Sequence, residues 1–150
     1  MSEMSEIEYR VMQNSDIQAV LLFWREMDGV HLHSNGEETY DAICSYLHRN
    51  PHLSFIAVCE SEIVGAVMCG HDRRRGYLNH LGVSPEYRYR GIAKELLNRV
   101  EIELRKNGIY KEALFVLCEN TSAQAFYEHM GWKEETIVKI YAKVIPQKDN

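Results

Sequence analysis

The pattern of apolar and polar positions predicts four helices. In each of them apolar side chains recur every three or four residues, so one face of the helix can be buried. Pro51 disfavours helical geometry in the residue before it, and Gly108 and Gly131 suit the left-handed position that follows a helix. The first predicted helix begins at the capping pattern Ser15-x-x-Gln18. The other three span about Glu37–Asn50, Ile92–Asn107 and Thr121–Met130.

Between the helices the apolar positions recur with a period near two, which predicts strands. Tight turns at Glu60–Glu62 and Asp72–Gly76 join neighbouring strands and therefore favour antiparallel pairing. The predicted strands are Ile7–Met12, Leu53–Cys59, Ile63–Cys69, Tyr77–Val83, Ala113–Cys118 and Ile137–Ile145. This order of elements predicts an α/β (α+β) fold, with helices packed on a largely antiparallel sheet.

Composition and charge exclude several classes of function. The chain has 150 residues without a repeat or a linker, which predicts one domain over residues 1–150. Its 17 Lys and Arg residues against 22 Asp and Glu residues give a net charge of −5, which weighs against nucleic-acid and anionic-membrane binding. No apolar run approaches the ~18–20 residues of a membrane span. Met1–Tyr9 lacks the basic and apolar regions of a signal peptide, so we expect a cytoplasmic protein.

The cysteines and histidines do not form a metal-binding pattern. The four cysteines contain no C-x-x-C pair, and the seven histidines contain no H-E-x-x-H pattern. We therefore expect reduced, buried thiols and no metal. His31 and His33 lie in a predicted loop, Asp28–Gly36, and are interpreted as solvated.

A basic segment precedes the long third helix and is a candidate anion site. Arg88, Arg90 and Lys94 surround Gly91, and the predicted helix starts at once. A helix N-terminus carries unpaired N–H groups and a partial positive charge, so cations there oppose the helix dipole unless an anion lies between them. The alternative is an ordinary capped helix with a basic first turn. The segment is neither a Walker A motif nor a G-x-G-x-x-G motif.

Two motifs in this part of the chain resemble those of one enzyme family. Arg88-x-x-Gly91-x-Ala93 matches the R/Q-x-x-G-x-G/A signature of the GNAT superfamily of N-acetyltransferases. About thirty residues later, Asn120-x-x-Ala123-x-x-x-Tyr127-x-x-x-Gly131-Trp132 resembles a second family motif. The likeness covers nearly the whole chain and is strongest to small stand-alone bacterial members. It implies a mixed, largely antiparallel sheet of about 6–7 strands flanked by about four helices.

The resemblance also implies acetyl-coenzyme A as cosubstrate. In the family the loop amides hold the pyrophosphate, and the pantetheine arm enters between two parallel strands that splay apart, here Tyr77–Val83 and Ala113–Cys118. Tyr89 departs from the family pattern, since many members carry a small residue there. The residues that the resemblance implies for cofactor binding are Leu81, Gly82, Val83, Arg88, Tyr89, Arg90, Gly91, Ile92, Ala93, Lys94 and Asn120.

The resemblance assigns one catalytic role and leaves another open. It implies that Tyr127 protonates the departing thiolate, although a core tyrosine on an apolar helix face would explain this residue equally well. In several relatives the general base projects from the strand before the loop, at alternate positions counted back from Val83. Here those positions are Leu81, Asn79 and Tyr77, and none of them is a good base at neutral pH.

His80 has a suitable unperturbed pKa, but strict alternation turns it to the other face of the sheet. A β-bulge would reverse that parity, and bulges are frequent beside active sites. The alternatives are a water held by Asn79 and Tyr77, a carboxylate, or an acceptor that arrives unprotonated. The candidate carboxylates are Glu26, Asp28 and Glu119.

The expected function is therefore acetyl transfer to the primary amine of a small molecule, by direct attack in a ternary complex. The acceptor pocket is expected at the loop Asp28–Gly36, the start of the second helix and the final strands. Its candidate lining residues are Trp24, Asp28, His31, His33 and Tyr141. Protein N-terminal or lysine acetylation, a non-catalytic acyl-CoA-binding module and a nucleotide-binding protein stay open. A homodimer is also open, because Ile137–Ile145 would form a sheet edge that needs cover.

Overall fold

The computed structural model describes residues 6–27 and 38–147. The chain divides into two compact units, Met1–Phe115 and Val116–Asn150. The predicted loop Asp28–Gly36, with His31 and His33, lies outside the described residues, as does the predicted helix start at Glu37. That the whole chain acts as one domain stays a prediction.

The first unit contains a single sheet of five strands in the order β1-β2-β3-β4-β5. All neighbouring strands pair antiparallel except β4 and β5, which are parallel. The predicted mixed, largely antiparallel sheet is thus confirmed, with slightly fewer strands than the 6–7 expected. The strands are β1 (Glu8–Val11), β2 (Phe55–Cys59), β3 (Glu62–His71), β4 (Gly76–Val83) and β5 (Glu112–Leu114).

The four predicted helices are confirmed, with small differences at their ends. They are α1 (Ile17–Arg25), α2 (Tyr40–Arg49), α3 (Ile92–Lys106) and α4 (Thr121–His129). Single 3₁₀ turns at Asn14–Asp16 and Pro85–Tyr87 precede α1 and α3. Within the described ranges, no helix has the length and apolar character that crossing a bilayer requires.

The strand predicted over Ile137–Ile145 is not formed, and the predicted strand Ala113–Cys118 is reduced to the three residues of β5. Ile137 and Tyr141 are 91% and 90% exposed. Alternating apolar residues show only that a segment suits a pleated surface, whereas a strand exists only when a neighbour completes its backbone hydrogen bonds. The expectation of a homodimer relied on this strand and loses that support.

Helices cover both faces of the sheet in the first unit. On one face α1 and α2 bury a cluster that includes Trp24, Ile43, Ile56 and Met68. On the other face α3 packs so closely that side chains at two glycines of the sheet would collide with it. A Cβ at Gly65 would lie 2.9 Å from Cγ2 of Ile92, and one at Gly76 would lie 2.8 Å from Cδ1 of Leu104.

A bidentate ion pair connects the start of α1 with β1. Nη1 and Nη2 of Arg10 donate to the two carboxylate oxygens of Asp16 at 2.8 and 2.9 Å, and the backbone N–H of Gln13 donates to Oδ2 of Asp16 at 2.8 Å. Asp16 is thus the N3 residue of a capping box around the 3₁₀ turn Asn14–Asp16. Asp16, not Ser15, is the N-cap residue of α1, and its side chain makes no cap hydrogen bond to that helix. Burial alone would raise the pKa of this carboxyl, but the bonds from Arg10 and Gln13 outweigh it and lower the pKa.

We expect Asp16→Asn to lower the free energy of unfolding at pH 7 by about 1–3 kcal/mol, because it leaves the Arg10 guanidinium without its charged partner. The pKa of Asp16 is lower in the folded state than in the unfolded state. Its stabilisation is thus complete above the unfolded value near 3.8 and is lost as the pH falls through the folded value. Thermal unfolding at pH 7, 5 and 3 measures this, and the difference in melting temperature between the two proteins should be smallest at pH 3.

Glu134→Gln is the matched control, because it neutralises an exposed carboxylate outside any helix or strand. Equal melting temperatures of the two variants at pH 7 would contradict a stabilising role for the Arg10–Asp16 pair.

Candidate active site

The junction between β4 and α3 has an unusual backbone. After Val83 the chain makes the 3₁₀ turn Pro85–Tyr87 and then two left-handed residues, Tyr89 with φ 64° and Gly91 with φ 79°. The side chain of Tyr89 is fully exposed. Gly91 is the N-cap residue of α3, and a left-handed conformation here suits a residue without a Cβ.

The first turn of α3 presents backbone donors that the helix does not use. Its first intrahelical bond runs from the N–H of Glu95 to the carbonyl of Gly91, at 3.0 Å. The N–H groups of Ile92, Ala93 and Lys94 therefore have no helical acceptor, and Gly91 has no side chain that could cap them. A Cβ at Gly91 would meet no atom within 4 Å, so the space beside this helix end is open. Such a helix end binds anions.

Cationic side chains surround the same helix end. The guanidinium carbon of Arg90 lies 4.9 Å from the ring centre of Tyr87, and Nε of Arg88 donates to the carbonyl of Val83 at 3.4 Å. Lys94 is exposed in the first turn. Cations at a helix N-terminus are electrostatically unfavourable, and a bound anion would relieve that cost. The segment Arg88–Lys94 is therefore a candidate anion site, and its role toward a ligand stays a prediction.

The edge of β4 is only partly paired. β5 pairs with Gly76, Tyr77 and Leu78, and the pairing ends there although β4 continues to Val83. In the part of the chain that the structure describes, no strand covers this side of β4 from Asn79 to Val83. Leu81, Gly82 and Val83 lie in that uncovered stretch, where backbone groups can pair with an extended ligand.

A β-bulge interrupts β4 in the same stretch. Ala66 of β3 is opposite Gly82, whereas Met68 is opposite Asn79, so Val67 alone faces the two residues His80 and Leu81. His80 has a φ of 53°, which is uncommon for a residue other than glycine. The extra residue reverses the alternation of side chains. His80 therefore lies on the same face of the sheet as Asn79, not on the opposite one.

His80 accordingly joins the α1 and α2 side of the sheet. Its ring centre lies 5.0 Å from that of Trp24, with 55° between the ring planes. Its Nε2 lies 3.1 Å from Oε1 of Glu38, and the two side chains are 16% and 9% exposed. The sequence analysis did not name Glu38, because this residue belongs to no motif, although it lies at the predicted start of the second helix, where part of the acceptor pocket was expected.

The other candidates for a base are placed less favourably. Nδ2 of Asn79 donates to Oη of Tyr46 at 3.1 Å, and burial raises the pKa of that tyrosine. Asn79 is thus partly engaged by α2. Glu26 and Glu119 are exposed, and Asp28 lies outside the described residues.

No group of three or more His, Cys, Asp or Glu side chains suited to a metal occurs among the residues described.

The candidate lining residues Trp24 and Tyr141 have different environments. Trp24 is fully buried in the core cluster, and its Nε1 has no hydrogen-bond partner in the described ranges. Tyr141 is 90% exposed. Trp24 therefore has the packing role that the sequence left open, and its ring lies next to that of His80.

The second unit holds the other motif. Oδ1 of Asn120 accepts from the N–H of Ala123 at 3.2 Å, so Asn120 is the N-cap residue of α4. The ring of Tyr127 lies 5.3 Å from that of Phe126 and 5.6 Å from that of Trp132. Burial raises the pKa of Tyr127 to about 12, so its hydroxyl keeps its proton at neutral pH. The roles of Asn120 and Tyr127 toward a ligand stay predictions.

Comparison with known proteins identifies related chains. The model of the Acetyltransferase (GNAT) family matches residues 18–132. Acetyltransferase YE1169 of Yersinia enterocolitica is 30% identical over 143 residues, which cover 95% of this chain and 99% of that protein.

Solved structures share the fold. The aminoglycoside acetyltransferase AAC(6')-Iy, in complex with a bisubstrate analogue of CoA and acetylneamine, superposes with a TM-score of 0.76 at 21% identity, covering 94% of this chain and 100% of that chain. The PaiA N-acetyltransferase of Thermoplasma acidophilum, in complex with coenzyme A, gives 0.75 at 23% identity, covering 87% and 91%.

Proposed function

The chain belongs to the GNAT family of acetyltransferases, and we propose that it moves an acetyl group from acetyl-coenzyme A to the primary amine of a small molecule. The observation that carries this proposal is the N-terminus of α3, where three unused backbone N–H groups lie beside Gly91 among the cationic side chains of Arg88, Arg90 and Lys94. We place the reaction in the cytoplasm as part of the same proposal.

The cofactor would use two features of the first unit. The pyrophosphate of acetyl-CoA binds the N–H groups of Ile92–Lys94, because the helix dipole and the nearby cations favour a dianionic group. The pantetheine arm extends along the uncovered edge of β4 and pairs with backbone groups of Leu81–Val83, as an added strand would. Asn120 contributes a further hydrogen bond to pantetheine, a role that relies on the family motif.

The reaction is a direct transfer. The amine nitrogen attacks the thioester carbonyl carbon, a C–N bond forms, the C–S bond breaks, and the products are an acetamide and free CoA. A backbone N–H near Val83 stabilises the oxyanion. The amine must lose a proton before or during attack, since an alkylammonium has a pKa near ~10.4.

We assign the general base to His80. The bulge turns its imidazole to the α1 and α2 side of the sheet, beside the uncovered stretch of β4. An imidazole can accept a proton near neutral pH, whereas Asn79 and Tyr77 cannot. The proton taken from the amine passes from His80 to solvent after the transfer.

We assign Tyr127 to the departing thiolate, on the strength of the family motif. With its pKa raised to about 12, this hydroxyl holds its proton more firmly than a thiol does, since thiols titrate near ~8.5. Its contribution is therefore best described as a hydrogen bond donated to the thiolate while the C–S bond breaks. The thiolate of CoA then takes its proton from solvent.

The net charge of −5 favours a cationic acceptor such as an amine. Peptide amines are the competing acceptors, and a non-catalytic acyl-CoA-binding module is the competing role. Turnover of peptide amines alone would favour the first, and binding of acetyl-CoA without transfer would favour the second.

Acetyl-CoA and CoA should each raise the melting temperature, whereas ATP and NAD should not. A ligand at ~100 times its dissociation constant adds about 2.7 kcal/mol, which corresponds to roughly 5–10 °C for a domain of this size. Gly91→Ala should weaken this response, because it strains the N-cap and adds a methyl group beside the N–H groups that hold the phosphates. A shift with ATP or NAD and none with acetyl-CoA would contradict the proposed cofactor site.

Gly108→Ala is a matched control for Gly91→Ala. Gly108 follows the other end of α3, also has a positive φ of 75°, and likewise has open space where a Cβ would lie. Both substitutions should cost about 1 kcal/mol of stability through left-handed strain. Only Gly91→Ala should reduce the shift that acetyl-CoA produces, and equal losses in both variants would show an indirect effect.

His80→Gln should lower kcat by about 10²–10⁴-fold, because a positioned base is lost, and should leave the shift with acetyl-CoA unchanged. Release of CoA thiol is measured with neamine, spermidine and short peptides with free N-terminal amines as acceptors. The deficit should shrink as the pH approaches the pKa of the amine. His48→Gln, which alters an exposed histidine of α2, is the control. Binding without transfer to any acceptor would favour the non-catalytic role, and turnover of peptides alone would favour protein acetylation.

Tyr127→Phe should lower kcat by about 10–100-fold and leave KM for acetyl-CoA nearly unchanged, because only the hydrogen bond to the departing thiolate is lost. Tyr110→Phe removes a hydroxyl from a tyrosine that is 80% exposed and serves as the control. Full kcat in Tyr127→Phe would refute the assignment.

A further inference from the structure

We propose that Glu38 is a positioning residue for His80, fixing which imidazole nitrogen carries hydrogen and how the ring is oriented during acetyl transfer. The inference rests on the proposed function, in which His80 is the general base. Glu38 belongs to neither family motif, and it reaches His80 of β4 from the segment that leads into α2.

The contact between the two residues defines the tautomer. Nε2 of His80 lies 3.1 Å from Oε1 of Glu38, and an ionised carboxylate can only accept hydrogen bonds. Nε2 must therefore be the donor. In the neutral ring this leaves Nδ1 as the nitrogen that accepts a proton, so the carboxylate directs the basic nitrogen away from itself.

The environment of the pair makes the contact more than a surface ion pair. The side chain of Glu38 is 9% exposed and that of His80 is 16% exposed. Solvent screens such a pair weakly, and a buried carboxylate is costly without a partner. When His80 takes up the proton of the amine, the imidazolium forms beside a carboxylate that is already in place.

One ring contact restrains the imidazole of His80, and a separate hydrogen bond caps the helix that begins beside Glu38. Trp24, fully buried, places its ring 5.0 Å from that of His80 and limits rotation of the imidazole. Oγ1 of Thr39, the residue after Glu38, accepts from the N–H of Ala42 at 3.1 Å and caps α2. The carboxylate thus lies on a capped helix start.

The test compares Glu38→Gln and Glu38→Asp with the wild-type protein, using acetyl-CoA and the acceptor that the wild type turns over fastest. Glu38→Gln keeps the shape of the side chain and removes the charge, so we expect kcat to fall by at least about 10-fold while KM for acetyl-CoA stays the same. Glu38→Asp keeps the charge and should recover part of the lost kcat. Wild-type kcat in Glu38→Gln would overturn the proposal.

Thr39→Ala is the matched control for a merely structural role. It removes the cap of α2 at the adjacent residue and should lower the melting temperature, because a lost N-cap typically destabilises a helix. We expect its kcat to stay within about 3-fold of wild type. A loss of kcat as large as that of Glu38→Gln would show that any loosening of this segment is enough, and would overturn the proposal.

Histidine ¹⁵N NMR spectra separate the failure of this inference from the failure of the proposed function. The signals of His80 are those that disappear in His80→Gln. In the wild type they should show hydrogen on Nε2, and in Glu38→Gln the tautomer or charge signature should change. If no acceptor is turned over, the proposed function fails, and unchanged His80 signals in Glu38→Gln would then overturn the pairing independently.

Discussion

The close packing of α3 against the sheet is the constraint on which the candidate anion site depends. Gly65 and Gly76 leave room for Ile92 and Leu104, so the helix approaches β3 and β4 closely at these two positions. Since Ile92 is also the first residue of α3, the contact that buries the helix fixes where its N-terminus begins. A short, strained connection from Val83 to Gly91 then suffices, and the first N–H groups of the helix stay open toward solvent.

β4 combines two departures from a regular strand. Its pairing with β5 stops at Leu78, and its pairing with β3 is interrupted by the bulge at His80. Either feature alone would weaken a sheet. Together they leave backbone groups uncovered on one edge and turn an imidazole toward α1 and α2. The stability that supports them comes from the buried α1 and α2 cluster on one face and from α3 on the other.

Local electrostatics in this protein oppose its overall charge. The chain carries a net charge of −5, yet Arg88, Arg90 and Lys94 lie at one helix N-terminus. Screening by salt confines such fields to about 10 Å, so the distribution of charge around a site matters more than its sum. The pair of His80 and Glu38 is the opposite case, because its two side chains are largely withdrawn from solvent and contact each other directly.

The helices, the hairpin strands and the candidate anion-binding loop could be predicted from the sequence, because each is encoded within a few residues by apolar spacing, turn residues or a motif. The sequence did not determine the bulge at His80, which is a mismatch in register with β3, nor the pairing of His80 with Glu38, which lie 42 positions apart. It also wrongly predicted a strand at Ile137–Ile145, since periodicity cannot show whether a backbone partner is present. Register and pairing are set by contacts between distant segments, and only the tertiary structure decides them.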